Sequence, residues 1–453
     1  MKVHFIAIGG SAMHNLALAL HSKGYAVSGS DDEIFEPARS RLAAQGLLPA
    51  QTGWAPAKIT TDVDAIVLGM HARKDNPELV RAQELGLKIY SYPEYLFEQT
   101  KHKTRIVVGG SHGKTTVTSM IMHALRSAGI AFDYMVGAQL AGFDTMVSLQ
   151  ENTKIAVFEG DEYLTSPIDP RPKFHLYRPH IGIITGIAWD HINVFPTWDS
   201  YVEQFLTFAN LIEPQGTLIY CAQDKTAASV AMLAQDGISK KSYAEHPSMQ
   251  IDGKCFLSTD AGNVPIPVFG SHNLQNISAA LLACQEAGLS AAQFYAAMQT
   301  FAGAARRLQC LAGTNDVHVY YDFAHSPSKL KATTQAVKQQ FPAQKLVACI
   351  ELHTFSSLNK TFLPHYSNTM AAADEALVYF NPNTLKHKQL EKITPQEVQA
   401  AFGGNVQVLT NSTSLLQALQ THPRRNTNFL LMSSGNFDGL DIPALAQDLC
   451  RVG

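Results

Sequence analysis

The sequence predicts an α/β protein with three domains built on largely parallel sheets. Short β-branched runs alternate with helical stretches along the whole chain, as expected for parallel strands joined by crossover helices. The 453 residues suffice for about three domains of ordinary size. Hydrophobic residues make up 46% of the chain and charged residues 16%, a composition that suits large buried sheets.

The first block, residues 1–102, is expected to form a Rossmann-like domain. Its first strand ends in Gly9-Gly10 and leads into a helical pattern, which is a nucleotide-type first turn. Ala7 and Ala12 occupy two of the three glycine positions of the dinucleotide motif G-x-G-x-x-G. Ser30-Asp31 follows the second strand, where an acidic group often meets a ribose. An NAD site and a nucleotide-sugar site therefore fit equally well. Strands are expected at residues 3–8, 26–28, 65–68 and 88–90.

A polar stretch, residues 99–104, is expected to link this block to the second one, residues 103–306. The second block begins with the most informative stretch of the chain, a glycine turn between the apolar run 106–108 and a helical pattern. The turn is a short form of the P-loop and reads Gly110-Ser111-His112-Gly113-Lys114-Thr115-Thr116. Further strands are expected at residues 155–158, 181–185 and 218–221.

This glycine turn predicts an ATP site. Backbone N–H groups and the positive end of the following helix attract phosphate. Lys114 would reach the outer phosphates, and the Thr115 hydroxyl would hold Mg²⁺. The alternative is an ordinary strand-to-helix turn with an exposed lysine.

Two later strand ends offer candidate metal ligands. Glu159 follows the strand 155–158 and opens an acidic turn, and carboxylates at this edge of a sheet suit Mg²⁺–ATP chemistry. His191 comes shortly after the strand 181–185, although Mg²⁺ prefers oxygen ligands. The alternatives are a solvated acidic turn and a structural histidine.

A polar helix start and the third block supply further candidates. Asn273 and Asn276 share one helix face, and their amides can hydrogen-bond to an adenine edge. Helix capping by Asn273 is the alternative.

Arg306-Arg307 could stabilise charge on a phosphoryl group or form an interdomain salt bridge. Asp322 and His325 follow the first strand of the third block, residues 307–453, and suit a cleft or a helix cap. Strands of this block are expected at residues 317–321, 346–350, 376–380, 406–409 and 429–432.

Taken in order, these motifs resemble the Mur ligase family of peptidoglycan synthesis across essentially the whole chain. The matching pieces are residues 110–116, 159–162, Asp190-His191, 270–276, 301–308 and 322–327. The resemblance implies a UDP-sugar-binding Rossmann-like domain, a central P-loop ATPase domain and a C-terminal α/β domain for the amino acid or peptide. It also implies an ATP-dependent amide ligase that uses Mg²⁺.

The resemblance assigns roles residue by residue. It implies UDP-sugar contacts for Gly9, Gly10, Ser11, Ser30, Asp31 and His71. It implies ATP contacts for Gly110 to Thr116, Asn273, Asn276, Arg307 and Asp322. It implies Mg²⁺ ligands in Thr115, Glu159 and His191, and catalytic roles for Lys114, His191 and His325. A base must also deprotonate the amine, and His191, His325 and His353 are all conceivable.

Two amine donors compete among family members that use UDP-N-acetylmuramate directly. One activity adds L-alanine in de novo synthesis. The other reattaches a recovered L-Ala-γ-D-Glu-meso-diaminopimelate tripeptide in recycling. The stretches 169–179 and 433–439 resemble the tripeptide-using members, so the sequence favours the tripeptide.

Composition excludes other classes of protein. The formal net charge of −3 and the absence of a long Lys/Arg run argue against nucleic acid. No stretch reaches the roughly 20 apolar residues of a membrane span, and the N-terminus indicates a strand rather than a signal peptide. Six scattered cysteines are expected to be buried reduced thiols. A cytoplasmic enzyme of small-molecule substrates is expected, whose oligomeric state the sequence leaves open.

Three other interpretations stay open at this point. A P-loop GTPase switch usually carries Asn-Lys-x-Asp, whereas the Asn359-Lys360 pair here is followed by Thr361-Phe362. A nicotinamide oxidoreductase would leave the glycine turn and the acidic turn unexplained. A non-catalytic nucleotide-binding module is the third.

Overall fold

The computed structural model describes residues 1–140, 142–189, 194–251, 254–303, 306–314 and 316–451. The chain divides into two compact units. The first comprises Met1–Ile187, Pro196–Ala244 and Ile277–Ala297; the second comprises Ala188–Phe195, Glu245–Asn276 and Met298–Gly453. Across these described ranges, no helix is both long and apolar enough to cross a membrane.

The first sheet is parallel, with strand order β2-β1-β3-β4. Its buried β-branched runs form strands, and polar residues start its helices. Asn76 accepts hydrogen bonds from two backbone N–H groups at the start of one helix, and Ser91 with Glu94 forms a capping box at the next. The strands are β1 Lys2–Ile6, β2 Ala26–Ser30, β3 Ala65–Leu68 and β4 Ile89–Ser91. The helices are α1 Ser11–Ser22, α2 Ala38–Ala44, α3 Pro77–Glu84 and α4 Tyr92–Thr100.

The second sheet, also in the first unit, has seven strands in the order β13-β12-β11-β5-β8-β6-β7. Its pairs are parallel except for β6 with β7. A separate antiparallel pair is formed by β9 and β10. The strands are β5 Thr104–Gly109, β6 Phe132–Met135, β7 Val147–Ser148, β8 Ile155–Glu159, β9 Leu164–Ser166, β10 Asp169–Pro172, β11 Ile181–Ile184, β12 Thr217–Cys221 and β13 Ser239–Tyr243. The helices are α5 Lys114–Ser127, α6 Trp198–Asn210 and α7 Lys225–Leu233.

The position of β5 in this sheet sets up the candidate site. It lies between β8 and β11, so the turn after β5 is flanked by the carboxyl ends of two parallel strands. The ends of adjacent parallel strands meet at one edge, which is where α/β sheets bind ligands.

The second unit holds a small antiparallel sheet and the third large sheet. The small sheet has the order β14-β15-β16, with β14 Ser248–Ile251, β15 Lys254–Thr259 and β16 Gly262–Ile266. Helix α8 Ser271–Glu286 starts in the second unit and belongs to the first from Ile277 onward, and α9 Ala291–Met298 belongs to the first unit up to Ala297. The third sheet has the order β17-β18-β22-β19-β20-β21 and is parallel except for β17. Its strands are β17 Gln309–Gly313, β18 Val317–Asp322, β19 Lys345–Glu351, β20 Glu375–Tyr379, β21 Gln407–Leu409 and β22 Thr427–Met432. Its helices are α10 Pro327–Gln340, α11 Pro382–His387, α12 Pro395–Ala401, α13 Ser412–Gln420 and α14 Ile442–Cys450.

Each strand expected from the sequence is present, with ends displaced by no more than two residues. The expected linker is a correction: residues 99 and 100 belong to α4, and residue 104 already starts β5. Four of the six cysteines are buried reduced thiols as expected, whereas Cys310 is exposed and Cys450 is half-buried.

Candidate active site

The glycine turn after β5 is pressed against the end of β11. Gly110 has φ +136° and Gly113, the N-cap of α5, has φ +82°. A Cβ atom on Gly110 would lie 2.0 Å from the Thr185 hydroxyl oxygen. The Thr185 hydroxyl donates to the backbone carbonyls of Gly109, at 3.2 Å, and of His112. Only glycine therefore fits at position 110, and the turn has a fixed shape.

A buried polar network supports this turn. The Ser111 N–H donates to the Gly186 carbonyl at 2.9 Å, and the Ser111 hydroxyl lies 2.8 Å from the Tyr201 hydroxyl. Tyr201 in turn donates to Glu162 at 3.2 Å. The Thr116 carbonyl accepts from the Ser119 hydroxyl at 2.8 Å, within α5. These bonds hold the backbone of the turn in one arrangement.

The Lys114 ammonium lies among carboxylates. Its Nζ donates to Glu162 Oε2 at 2.6 Å and to the Gly110 carbonyl at 2.7 Å. Burial lowers the pKa of Lys114, but the negative charges of Glu162, Asp161 and Glu159 outweigh this effect and the net pKa is raised. The side chain is therefore a permanent cation at the glycine turn, as phosphate binding requires. Glu162 as the partner of Lys114 was not predicted.

The start of α5 and the end of β8 bring an alcohol and a carboxylate together. Thr115 Oγ1 donates to Glu159 Oε1 at 2.8 Å, and the Gly137 N–H donates to Glu159 Oε2 at 2.7 Å. Hydroxyl and carboxylate oxygens are the hard donors that Mg²⁺ prefers, and this ion commonly takes one or two carboxylates together with substrate phosphates. The donor set therefore fits the expected ion.

The third expected magnesium ligand is a histidine. His191 lies outside the described residues, so the expected metal and catalytic roles of His191 stay predictions. Within the described ranges, no group of three or more His, Cys, Asp and Glu side chains comes together in a metal-binding arrangement. The part of the metal site that can be described is the Thr115–Glu159 pair.

The first sheet forms its own turn at its carboxyl edge. The Gly9 N–H donates to Asp31 Oδ2 at 2.7 Å, and the Ala7 N–H donates to the Ser30 carbonyl at 2.9 Å. Ala7 adopts φ +68°, a left-handed conformation at a position where the dinucleotide motif has glycine. Burial raises the pKa of Asp31 to about 6, against the effect of the Gly9 N–H.

The other UDP-sugar candidates lie at the same edge. Gly10 is the N-cap of α1 without a side-chain cap, and Ser11 is the first residue of that helix. His71 is exposed and follows β3. The structure thus brings the ends of β1, β2 and β3 together at the turn, as the parallel pairing requires.

In the second unit, Asn273 and Asn276 both lie in the first turns of α8 and are both buried. Asn273 Nδ2 donates to the Phe269 carbonyl at 2.9 Å. The helix begins at Ser271, so Asn273 is not at the N-cap, and its amide folds back on the preceding loop.

The candidates near the start of the third block cluster at the carboxyl end of β18. The buried carboxylate of Asp322 accepts from the N–H groups of Leu308 and Ala324. Burial raises its pKa, although the charge of Arg307 opposes this. The Arg307 guanidinium lies 4.9 Å from the centre of the Phe323 ring. His325 Nδ1 lies 2.8 Å from the Phe323 carbonyl, so that nitrogen carries the proton when the ring is neutral.

Sequence reasoning missed a second buried carboxylate at this edge. Glu351, the last residue of β19, accepts from the Ser433 hydroxyl and from the Phe437 N–H. A Cβ atom on Gly435 would lie 2.8 Å from Glu351 Oε2 and 2.9 Å from His353 Nδ1. In the sequence, Glu351 is only a single acidic residue at the end of an apolar run. Its role can be recognised once β22 is known to lie beside β19, because its hydrogen-bond partners follow β22.

Arg306 ties these strand ends together. It adopts φ +57° and donates to the Tyr321 hydroxyl at 2.8 Å and to the Gly435 carbonyl at 2.6 Å. Its guanidinium lies 4.9 Å from the centre of the Tyr321 ring. The sequence suggests that Arg306 stabilises charge on a phosphoryl group or forms an interdomain salt bridge. In the structure, its described contacts are instead to neutral groups of the third block.

Three family models match consecutive parts of the chain. They are described as Mur ligase family catalytic domain over residues 2–104, Mur ligase middle domain over residues 108–284, and Mur ligase glutamate ligase domain over residues 306–435. Together they extend over most of each of the three large sheets.

Named relatives agree with these matches. A UDP-N-acetylmuramate–L-alanine ligase of Caldicellulosiruptor bescii is 31% identical over 393 residues, which cover 83% of each chain. The crystal structure of a murein peptide ligase from Psychrobacter arcticus is 25% identical, with a TM-score of 0.66 over 100% of this chain and 99% of that one. A UDP-N-acetylmuramate–alanine ligase from Thermotoga maritima, at 21% identity, has a TM-score of 0.69 over 99% and 98% of the two chains, which supports the fold alone.

Proposed function

This chain belongs to the Mur ligase family, whose members are ATP-dependent amide ligases of peptidoglycan synthesis, and we propose that it couples UDP-N-acetylmuramate to L-Ala-γ-D-Glu-meso-diaminopimelate in recycling. The family acts on small-molecule substrates derived from UDP-N-acetylmuramate. In this proposal residues 1–102 hold the UDP-sugar, residues 103–306 hold ATP, and residues 307–453 hold the amine donor. We place the reaction in the cytoplasm, as for the homologous Mur ligases.

The observation that carries the ATP assignment is the glycine turn with its charged neighbours. The backbone N–H groups of the turn and the start of α5 provide an anion site, and Lys114 adds a full positive charge beside it. Lys114 exchanges its bond with Glu162 for the outer phosphates in this proposal. Asn273, Asn276, Arg307 and Asp322 are assigned to the nucleotide on the family resemblance.

Magnesium is assigned to the Thr115–Glu159 pair. When bound, the ion would neutralise phosphate charge and polarise the transferred phosphoryl group. Glu159 is held from its other side by the Gly137 N–H, so its carboxylate is oriented before any ligand arrives. His191 is the further ligand that the family resemblance implies.

The chemistry follows from the poor reactivity of a carboxylate toward an amine. A carboxylate oxygen of the muramoyl group attacks the γ-phosphorus of ATP, which releases ADP and forms an acyl phosphate. The amine attacks the acyl carbon, and the tetrahedral intermediate collapses to the amide and inorganic phosphate. The chain must therefore align two reactants, stabilise phosphate charge and exclude water.

The third domain is assigned to the amine donor because of the strand ends at its carboxyl edge. Glu351 is a buried carboxylate, and His353 is half exposed beside it, with Nδ1 at 3.8 Å from Glu351 Oε1. A carboxyl group has about four hydrogen-bond acceptor positions, so Glu351 can accept bonds from the amine donor in addition to those from Ser433 and Phe437. His325 and His353 are candidates for the base that deprotonates the attacking amine.

The tripeptide is favoured over L-alanine by two features. The stretches 169–179 and 433–439 resemble the tripeptide-using members, and the solved murein peptide ligase from Psychrobacter arcticus is 25% identical to the chain, against 21% for the solved alanine ligase from Thermotoga maritima. L-alanine is the second candidate, because the sequence relative at 31% identity carries the name of an L-alanine ligase.

A donor competition tests this proposal. The purified chain is given UDP-N-acetylmuramate, Mg²⁺–ATP and either L-alanine or the tripeptide, and ADP release and the amide product are measured. A kcat/KM at least tenfold higher for the tripeptide is expected. A preference for L-alanine would assign the chain to de novo synthesis without changing the reaction class. Release of ADP with neither amine giving product would contradict both candidates.

A further inference from the structure

A buried asparagine in the first domain makes direct contact with the second sheet. Asn15 lies in α1, one turn after the glycine turn of the first domain, and its side chain is fully buried. Its Oδ1 accepts a hydrogen bond from the backbone N–H of Met146 at 3.0 Å. Met146 directly precedes β7, at the edge of the second sheet. Both residues belong to the first compact unit.

The orientation of the Asn15 amide is fixed by its other partners. Asn15 Nδ2 donates to the Ser11 carbonyl at 2.8 Å and lies 3.0 Å from His14 Nε2. His14 Nδ1 lies 2.9 Å from the Gly10 carbonyl, which can only accept, so Nδ1 carries the proton and Nε2 accepts from Asn15. Burial lowers the pKa of His14, which favours this neutral form. Both amide hydrogens are thereby used, and Oδ1 must face Met146.

Hydrogen bonds continue from Met146 to the proposed magnesium ligand. The Met146 carbonyl accepts from the Val136 N–H at 3.0 Å. The next N–H, that of Gly137, donates to Glu159 Oε2 at 2.7 Å, and Glu159 Oε1 accepts from Thr115 at 2.8 Å. The carbonyls of Gly10 and Ser11 are thus connected to the glycine turn of the second sheet through side chains and backbone of one continuous network.

A second, more exposed link through Arg41 also connects the first domain with the chain between β6 and β7. Arg41, in α2, places one guanidinium nitrogen 3.4 Å from Asn15 Oδ1 and another 3.1 Å from Gln139 Oε1. Gln139 lies in the same loop as Gly137. The first domain therefore contacts the chain between β6 and β7 at two residues, Gln139 and Met146.

We propose that Asn15 is a positioning residue through which binding at the first-domain turn and the orientation of Glu159 influence each other. The inference rests on the proposed function, which assigns that turn to the UDP-sugar and Glu159 to Mg²⁺–ATP. A ligand that fixes the turn also fixes the carbonyls of Gly10 and Ser11, and with them the Asn15 amide. The loop then holds Glu159 in the orientation that binds the nucleotide. Such coupling must be reciprocal, because each ligand changes the affinity of the other by the same factor.

The test measures that factor directly. The Kd of a non-hydrolysable ATP analogue with Mg²⁺ is measured by calorimetry, with and without saturating UDP-N-acetylmuramate. In the wild type the analogue is expected to bind at least about fivefold more tightly when the UDP-sugar is present. In Asn15→Ala this ratio is expected to fall to about one, while the Kd of each ligand alone changes by less than about threefold. A purely structural role would weaken binding of both ligands and leave the ratio unchanged.

A matched control shows whether replacing any buried asparagine of the first domain would lower the ratio. Asn76 is also buried in the first domain and also accepts from backbone N–H groups, but it caps α3, and the hydrogen bonds described for it all lie within residues 73–80. Asn76→Ala is expected to keep the wild-type ratio. If Asn15→Ala does not fold, Arg41→Leu severs the outer link and is expected to lower the ratio at least about twofold.

Two results would overturn the inference: a wild-type ratio of one, or a wild-type ratio retained in Asn15→Ala or, where that variant does not fold, in Arg41→Leu. Failure of the proposed function has a different signature. In that case the wild type does not bind the two ligands or does not release ADP when an amine is added.

Discussion

Thr115 and Glu159 are 44 residues apart in the chain, yet the Thr115 hydroxyl donates to a Glu159 carboxylate oxygen at 2.8 Å. The cause is the parallel pairing of β5 with β8, in which Val108 lies opposite Glu159. The same pairing places Lys114 beside the acidic turn that follows β8. A hydroxyl, a carboxylate and a fixed cation therefore converge on one glycine turn.

Replacement of Glu159 tests the metal assignment. Glu159→Gln keeps the size of the side chain but removes the charge, so the Mg²⁺ concentration for half-maximal ligation is expected to rise about tenfold or more. The measurement is a magnesium titration of ADP release at saturating substrates. Glu286→Gln is the matched control, because Glu286 pairs with Lys241 at 2.6 Å away from the turn. A magnesium titration identical to that of the wild type would remove Glu159 from the site.

Replacement of Lys114 tests the phosphate assignment. Lys114→Ala removes the cation at the turn and is expected to lower the rate of ligation by at least about a thousandfold, because phosphoryl transfer depends on charge stabilisation. Binding of UDP-N-acetylmuramate, measured by calorimetry, is expected to stay within about threefold of the wild type. Lys241→Ala removes an ion pair of similar length elsewhere and serves as the control. Equal loss of ligation and UDP-sugar binding would count against the assignment.

The first-domain turn is expected to bind its ligand in a pH-dependent way. Burial raises the pKa of Asp31 to about 6, and the ionised carboxylate accepts bonds from a ribose hydroxyl and from Gly9 more strongly than the protonated acid does. The ionised fraction therefore grows from pH 5 to pH 7, and the affinity for UDP-N-acetylmuramate is expected to rise about tenfold over that range. Calorimetry at several pH values measures this, and Asp31→Asn should bind weakly with a flat profile. A wild-type affinity that does not change with pH would exclude Asp31 from the ribose.

Gly435→Ala tests the third domain as the site of the amine donor. The added methyl group would lie 2.8 Å from Glu351 and 2.9 Å from His353, so these two side chains must move. The KM for the tripeptide is expected to rise at least about tenfold, while the Kd of the ATP analogue stays within about threefold. Gly404→Ala is a control in the same domain, since a methyl group there meets nothing within 4 Å, although its positive φ of +86° adds some strain. An unchanged KM in Gly435→Ala would contradict the assignment.

Much of the fold could be predicted because its signals are local. Each apolar β-branched run of the large sheets became a strand, and the turn 110–113 was recognisable from its glycines and the Lys-Thr pair that follows. The strand β14 shows where this fails. Its four residues alternate polar and apolar, but all four are exposed, so no buried face supports the pattern, and four residues are too few for the alternation alone to indicate a strand.

It was harder to predict which residues of the site pair with each other than which residues belong to the site. The acidic turn offered Glu159, Asp161 and Glu162, and the sequence could not show that Glu162 pairs with Lys114 while Asp161 pairs with Lys173. That choice depends on the register of neighbouring strands and on Tyr201, which comes from a helix far along the chain. The partners of buried carboxylates such as Glu351 are equally hard to predict, because they follow strands that are neighbours only in the folded sheet.

The most direct test of the central claim follows an oxygen atom. UDP-N-acetylmuramate labelled with ¹⁸O in its carboxylate is incubated with Mg²⁺–ATP, the tripeptide and the purified chain, and the released phosphate is analysed by mass spectrometry. Activation as an acyl phosphate transfers one carboxylate oxygen to phosphorus, so phosphate carrying one ¹⁸O atom is expected in step with amide formation. Amide formation with unlabelled phosphate would contradict the mechanism proposed for this chain.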